Sequence, residues 1–323
     1  DDIQAILGHA RLDMKEGNTA AARQRYQAVL ALQPDHAGVL VSLAYLLDRE
    51  GDTDEALELV EKARIADAEL LEPRLILSDF YLRRGEAREA LEYAREAQRI
   101  DPKDRRVLLV LGKAQLGVGD PAAKQTFEEL AEREPDNPES HYYLAMVKVK
   151  AGDLRGARNS LHKVLKLNPD HNQSRLVLGK VELKAENIAA ALEIARQLQK
   201  TIPDSAAGYL LEGDVMMARH ESEKALSAYQ SALSRARNSE AVIKVNKVQQ
   251  KLGNAKAGYD ALLKWLEQHP DDLLVRFSLA STYMAEGQND AAKSQFRMII
   301  EKQPDNAAAL NDLAWLTHQS GEQ

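Results

Sequence analysis

Apolar residues in this chain come in short helical runs, and residues 273–306 show the pattern in full. In LLVRFSLASTYMAE, Leu279, Ala280 and Tyr283 fall at helical spacing. Gly287 follows, where a left-handed residue is needed to end a helix. The next run, QNDAAKSQFRMIIEKQ, sets Ala292, Phe296, Ile299 and Ile300 on one face. Pro304 then closes the unit, because it cannot continue a helix and sits well just before the next one starts. The small side chains of Ala280 and Ala292 let the two helix backbones approach closely. Helices of about 14 residues are marginal alone in water, so their stability has to come from stacked neighbours.

The unit recurs. YQAVLALQPDH at 26–36, LHKVLKLNPDH at 161–171 and FRMIIEKQPDN at 296–306 begin 135 residues apart, four periods of 34 less one. Pro34, Pro102, Pro135, Pro169, Pro203, Pro270 and Pro304 keep that period. Gly17, Gly51, Gly85, Gly119, Gly152, Gly253, Gly287 and Gly321 run in parallel, with Glu186 and His220 in the two empty glycine slots. Ala22, Ala56, Ala90, Ala157, Ala191, Ala225 and Ala292 supply a third marker in phase. Nine complete repeats result, at 3–36, 37–70, 71–104, 105–137, 138–171, 172–205, 206–238, 239–272 and 273–306, with a partial tenth at 307–323. The expectation is an all-α solenoid forming one domain over 1–323.

The period of 34, the small residue at position eight, the Gly-Asp turns (Gly51-Asp52, Gly119-Asp120, Gly152-Asp153), the alanine and the closing proline resemble tetratricopeptide (TPR) repeats. That resemblance spans essentially the whole chain and implies a right-handed α–α superhelix of about nine and a half helix-turn-helix repeats. The aromatic usual at position four is mostly replaced, as by Arg74, His141, Arg175 and Arg276. LQKTIPDSAAGYLLEGD (198–214), WLEQHPDD (265–272) and LNDLAWL (310–316) are similar, more narrowly, to bacterial TPR proteins of the PEP-CTERM/exosortase system. This likeness implies exopolysaccharide- and sorting-linked work in the periplasm or at the outer membrane, with the cytoplasm as the alternative compartment.

Composition removes several function classes. The longest uncharged stretch, Ala37–Leu47, falls well short of the roughly 20 apolar residues of a spanning helix, so this chain is not expected to insert in a membrane. With no cysteine there is neither disulfide nor thiolate metal site, which fits oxidising and reducing compartments alike. The net charge of −7 sits in residues 1–137, and neither half is basic enough to track nucleic-acid phosphates. The eight histidines offer no pair on one helical turn, and His36 and His171 are equivalent junction residues after Pro-Asp. GVGDPA at 117–122 matches a dinucleotide fingerprint in letters only, because Val107–Leu116 before it has helical rather than strand periodicity. No nucleophile motif or phosphate loop is present, so no catalytic residue, metal or cofactor is assigned.

Binding remains. In TPR proteins ligands meet positions two, five, nine, twelve and thirteen of the first helix, which lines the concave face. Position five is apolar in nine of ten repeats, from Leu7 to Phe277, and position twelve continues the same face seven residues on. The candidate partner-binding residues are Tyr142, Met146, Val149, Leu176, Lys180, Leu183, Leu210, Asp214, Met217, Lys247, Lys251 and Phe277. Two readings stand open: a partly Met-lined groove for a peptide, or apolar packing between neighbouring first helices. Lys180, Lys184, Lys244, Lys247 and Lys251 form a candidate basic patch in repeats six to eight. At position thirteen the helix dipole already explains a cation. Position five and nine pairs such as Leu7 with Arg11 and Val41 with Tyr45 lack the Lys and Asn of a carboxylate clamp, and position six lacks an asparagine ladder.

The expected function is therefore a non-catalytic protein–protein scaffold holding a partner peptide or protein. The alternatives are a regulatory or substrate-recruiting arm of a larger enzyme, and a scaffold touching an anionic polysaccharide. The chain opens on Asp1-Asp2 without a methionine and reads as processed or excised from a longer protein. AALNDLAWL is apolar on the side that a following helix would cover, so the natural protein is expected to continue beyond Gln323, with Leu313 and Trp315 partly uncovered here.

Overall fold

The computed structural model describes residues 2–319, and these form nineteen α-helices with no strand among them. Helices alternate as the periodicity predicts: the ninth repeat pairs Leu273–Ala285 with Asn289–Lys302, and the first pairs Ile3–Glu16 with Thr19–Leu32. Each helix packs mainly on its chain neighbour, and first helices of adjacent repeats also touch, as Leu71–Arg83 does Arg105–Val118 and Ser239–Lys251 does Leu273–Ala285. The chain divides into two compact units, Asp1–Leu167 and Asn168–Gln323, each a stack of such pairs.

The turn inside each repeat has a backbone cause. Gly51 lies at φ 97°, its N–H bonding Asp48 O at 3.2 Å while Asp52 N–H bonds Leu47 O at 2.9 Å. This left-handed closure satisfies carbonyls that the helix end would leave orphaned. Glu186 and His220 adopt the same conformation, both at φ 61°, with the same pair of bonds: Asn187 N–H to Glu182 O and Glu221 N–H to Met216 O, each 2.9 Å. The geometry of the turn thus persists where the glycine does not.

Small residues sit where the two helices of a repeat cross. Ala10, Ala22, Ala280 and Ala292 are fully buried, and large side chains such as Phe127 and Phe296 fill the space around the crossings. Position four does different work from an aromatic. Arg276 Nη2 donates to Pro270 O at 2.7 Å, Arg175 Nη2 donates to Pro169 O, and His141 Nε2 lies 2.9 Å from Pro135 O. Each reaches six residues back to tie its helix to the preceding junction. Arg74, in a repeat without that proline, is buried and bonds Leu70 O at 2.9 Å and Glu96 at 3.1 Å. His171 caps its helix by accepting the Ser174 N–H at 3.1 Å, a junction role.

Candidate functional site

Most junctions between repeats are closed by a bond three residues long, such as His36 N–H to Gln33 O, Asp272 N–H to His269 O and Asn306 N–H to Gln303 O. The seventh junction departs from this. Ala236, Arg237 and Asn238 replace the Pro-Asp turn, Ala236 is extended at φ −145°, ψ 143°, and no such bond closes it among the described residues. Asn238 instead caps the next helix, accepting the Ala241 N–H at 3.0 Å. Two cavities lie beside this junction, both within the second unit.

The larger cavity, about 510 Å³, is formed by the first helices of repeats seven, eight and nine (Ala207–Ala218, Ser239–Lys251, Leu273–Ala285) and one second-helix residue, Tyr229. Met217, Ile243, Val248, Leu274 and Phe277 make its apolar lining, and Glu240, Lys244 and Lys247 its polar edge. The second, about 250 Å³, is bordered by Leu176, Lys180, Leu210, Leu211 and Asp214, and it shares Glu240 with the first. An ion-pair network stands at this boundary. Lys244 Nζ meets Asp214 at 2.6 Å and Glu240 at 3.4 Å, and the Tyr229 hydroxyl donates to Asp214 at 2.7 Å. Lys244 also stands over the Tyr229 ring, 5.6 Å from its centroid. Burial first, then the bond to Asp214, raises the Tyr229 phenol far above its ordinary pKa, so it remains a donor at any physiological pH.

The twelve sequence-derived candidates distribute unequally. Tyr142, Met146 and Val149 lie half-buried in the first unit, and Tyr142 packs edge-on to Tyr143 with ring centroids 5.3 Å apart. The other nine belong to the second unit, and seven of them border the two cavities: Met217, Lys247 and Phe277 the larger, Leu176, Lys180, Leu210 and Asp214 the smaller. Leu183 is half-buried against the core of its own unit, and Lys251 is exposed one helical turn beyond Lys247. Leu210 is only 8% exposed and belongs to the core, contributing a wall rather than an open contact. Leu274, at position two, is 71% exposed over the larger cavity.

Sequence reasoning passed over Tyr229, Ile243, Leu274 and Glu240 as site residues. Ile243, Leu274 and Glu240 occupy groove positions and were within reach of the positional rule, whereas Tyr229 comes from a second helix and no position rule points to it. Lys244 leaves the basic patch, since both of its neighbouring carboxylates engage it. The stripe itself is intermediate between the two readings left open. Leu7 and Leu210 are core, while Val41, Leu75, Leu109, Tyr142, Leu176, Ile243 and Phe277 are half-buried. Among the described residues there is no group of three or more His, Asp or Glu able to hold a metal, and no helix is long and apolar enough to cross a membrane.

Tetratricopeptide repeat models match residues 13–75 and 277–323, and a tetratricopeptide repeat-like domain model matches residues 112–262. Tetratricopeptide repeats thus make up most of this chain. Its fold is similar to that of a tetratricopeptide repeat protein from Parabacteroides merdae, with TM-score 0.60 and 17% identity, over 77% of this chain and 98% of that one. It is also similar to a chain of the APC/C hetero-tetramer Cut9–Hcn1, with TM-score 0.52 and 17% identity, over 92% of this chain and 59% of that one. At such identities the likeness shows the fold alone. No curated protein matches the chain in sequence. Tetratricopeptide repeats are protein-interaction scaffolds in general and typically non-catalytic, and the helix pairs here follow that plan throughout the described residues.

Proposed function

We propose that this tetratricopeptide chain is a non-catalytic scaffold that seats a segment of a partner protein in the first-helix groove of its second unit. The observation that carries this reading is the cavity of about 510 Å³ with an apolar lining and an exposed Leu274 at its edge. A leucine 71% exposed over an apolar hollow leaves surface that a partner side chain would remove from water at about 25 cal/mol per Å². The setting we propose is the bacterial envelope, in exopolysaccharide- or exosortase-linked assembly, supported by the likeness of residues 198–214, 265–272 and 310–316 to proteins of that system.

A photo-crosslinking residue placed at Leu274 tests the reading directly. Ile65, equally exposed but on a second helix of the first unit, serves as the control position. Incubated with an envelope extract of the source cell, the Leu274 probe should yield a discrete protein adduct that the Ile65 probe does not. Equal labelling at both positions, or none at either in envelope and cytosolic extracts alike, overturns the groove reading. A Leu274 adduct obtained only from cytosolic extract would keep the groove and remove the envelope.

A further inference from the structure

The two units treat charge at their groove positions differently. In the first unit most of these charges find partners within the chain, Arg11 and Lys15 of the first repeat excepted: Arg106 meets Glu72 at 2.9 Å, Arg83 meets Asp79 at 3.3 Å and Lys113 meets Glu139 at 3.6 Å. Lys150 donates to Leu116 O at 2.8 Å, and Arg49 lies over the Tyr45 ring. In the second unit the two groove carboxylates, Asp214 and Glu240, are both turned onto Lys244. Lys180, Lys184, Lys247 and Lys251 are exposed and make no ion pair among the described residues. Lys247 and Lys251 therefore face solvent on a helix of the larger cavity, and Lys180 and Lys184 on the helix that borders the smaller one, in a chain whose overall charge is −7.

From this contrast we infer that the second-unit groove takes an acidic amphipathic peptide segment, its apolar side chains entering the cavity beside Ile243, Leu274 and Phe277 and its carboxylates meeting Lys247, Lys251 and Lys180. The inference rests on the groove reading above and deepens it. Spacing supports it: Lys247 and Lys251, like Lys180 and Lys184, are four apart and so share a helix face. Two acidic residues one turn apart on a bound helix, or alternate residues of an extended one, reach such a pair. Exposed lysines contribute little to intrachain stability when paired, whereas complementary charge steers association and fixes which partner docks. An anionic polysaccharide shares the charge but not the chemistry of the floor. Met217, Ile243, Val248, Leu274 and Phe277 offer no side-chain hydrogen-bond donor, and the Tyr229 hydroxyl is already committed to Asp214.

The test is selection of a random 12-residue peptide library on the intact chain, followed by anisotropy of labelled synthetic peptides from the selected pool. Selected sequences should combine Leu, Ile, Phe or Met with Asp and Glu. Binding should weaken about tenfold or more in Lys247→Glu/Lys251→Glu and should fall as salt rises through the range where the screening length contracts below about 10 Å. Leu274→Asp should abolish it. All three positions are exposed, so an unchanged melting temperature checks that the variants fold. Neutral or basic peptides that bind and are lost in Leu274→Asp would overturn the acidic specificity and leave the groove standing. Selected peptides insensitive to all three substitutions, or no selectable peptide, would overturn the groove as well. A soluble polyuronate that binds equally to wild type and Leu274→Asp, but not to the lysine variant, would assign the patch to polysaccharide and overturn the peptide.

Discussion

Glu186→Gly and His220→Gly should stabilise the second unit, although glycine is usually the costlier residue. Both positions hold φ 61° at the turn inside a repeat, where Gly17, Gly51, Gly85, Gly119, Gly152, Gly253 and Gly287 take φ between 72° and 97°. A left-handed residue with a Cβ costs about 1–2 kcal/mol. Glycine removes that strain but gives back about 0.5–1 kcal/mol through the greater freedom of the unfolded chain. The net is a gain of about 0.5–1 kcal/mol per site. Neither side chain makes an ion pair or hydrogen bond among the described residues, so nothing else is lost. The sites are one repeat apart, and the effects should nearly add. At about 2–4 °C per kcal/mol for a unit of this size, the double variant should melt a few degrees higher when followed by circular dichroism at 222 nm. Gly253→Ala, at φ 80°, should move the other way by about 1 kcal/mol. Gly variants that are neutral or destabilising, or a neutral Gly253→Ala, would refute the argument. The same helices carry Lys180, Asp214 and Met217, so groove binding should survive the stabilisation unchanged.

Three further outcomes follow from contacts in the second unit. Leu210→Ala should cost roughly 2–5 kcal/mol as a core truncation, while Leu274→Ala should stay within about 0.5 kcal/mol; equal shifts in urea midpoint would erase the division between wall and open contact. Gly213→Ala would place a Cβ 2.2 Å from Tyr229 Cε1, so overpacking should cost about 1–3 kcal/mol and loosen the Tyr229 bond to Asp214; wild-type stability would contradict this. Burial alone would raise the pKa of Asp272, yet bonds from the Ser239 hydroxyl (2.6 Å), the Val275 N–H (3.1 Å) and the Trp265 indole (2.7 Å) hold it below the ordinary 3.8. A folded pKa below the unfolded one gives stability that is present above about pH 4 and lost as pH falls through the folded value. The melting-temperature gap between wild type and Asp272→Asn should therefore be full at pH 7 and shrink below pH 4; a gap constant over that range would exclude this role.

The repeat plan was legible because each helix end is set by one residue with a backbone requirement. A glycine every 34 residues marks a left-handed turn, and a proline marks a point where no helix can pass, so phase alone located the helices to within a residue or two in the repeat read out in full. The arginines at position four were visible but not intelligible. Arg175 and Arg276 reach carbonyls six residues back, at Pro169 and Pro270, which come within reach only once the junction has folded over, and Arg74 reaches Glu96 on the next helix. The division into two units was also out of reach, since the markers run through residue 167 without a break. The turn expected at Gly321 lies outside the described residues. Trp315 is 54% exposed and Leu313 half-buried, the partial uncovering expected of that helix.

The site was legible as a face and not as a surface. Helical geometry puts positions two, five and nine on one side whatever the tertiary structure, so naming that side needed only the spacing. How deeply each member is buried depends on the distance to the next first helix, which the sequence does not encode locally. Leu210 and Leu274 are both leucines at groove positions, yet one is 8% exposed and the other 71%. Charge follows the same logic. A count of lysines placed Lys244 with Lys247 and Lys251, but the structure spends Lys244 on Asp214 and Glu240, one repeat back and one turn back. What a partner would meet is the remainder after such internal pairing. That remainder includes Arg11 and Lys15 in the first-unit groove and four lysines in the second, where Leu274 lies exposed over a cavity, so specificity in this chain should reside in unpaired charge beside exposed apolar surface rather than in the repeat consensus that makes the fold.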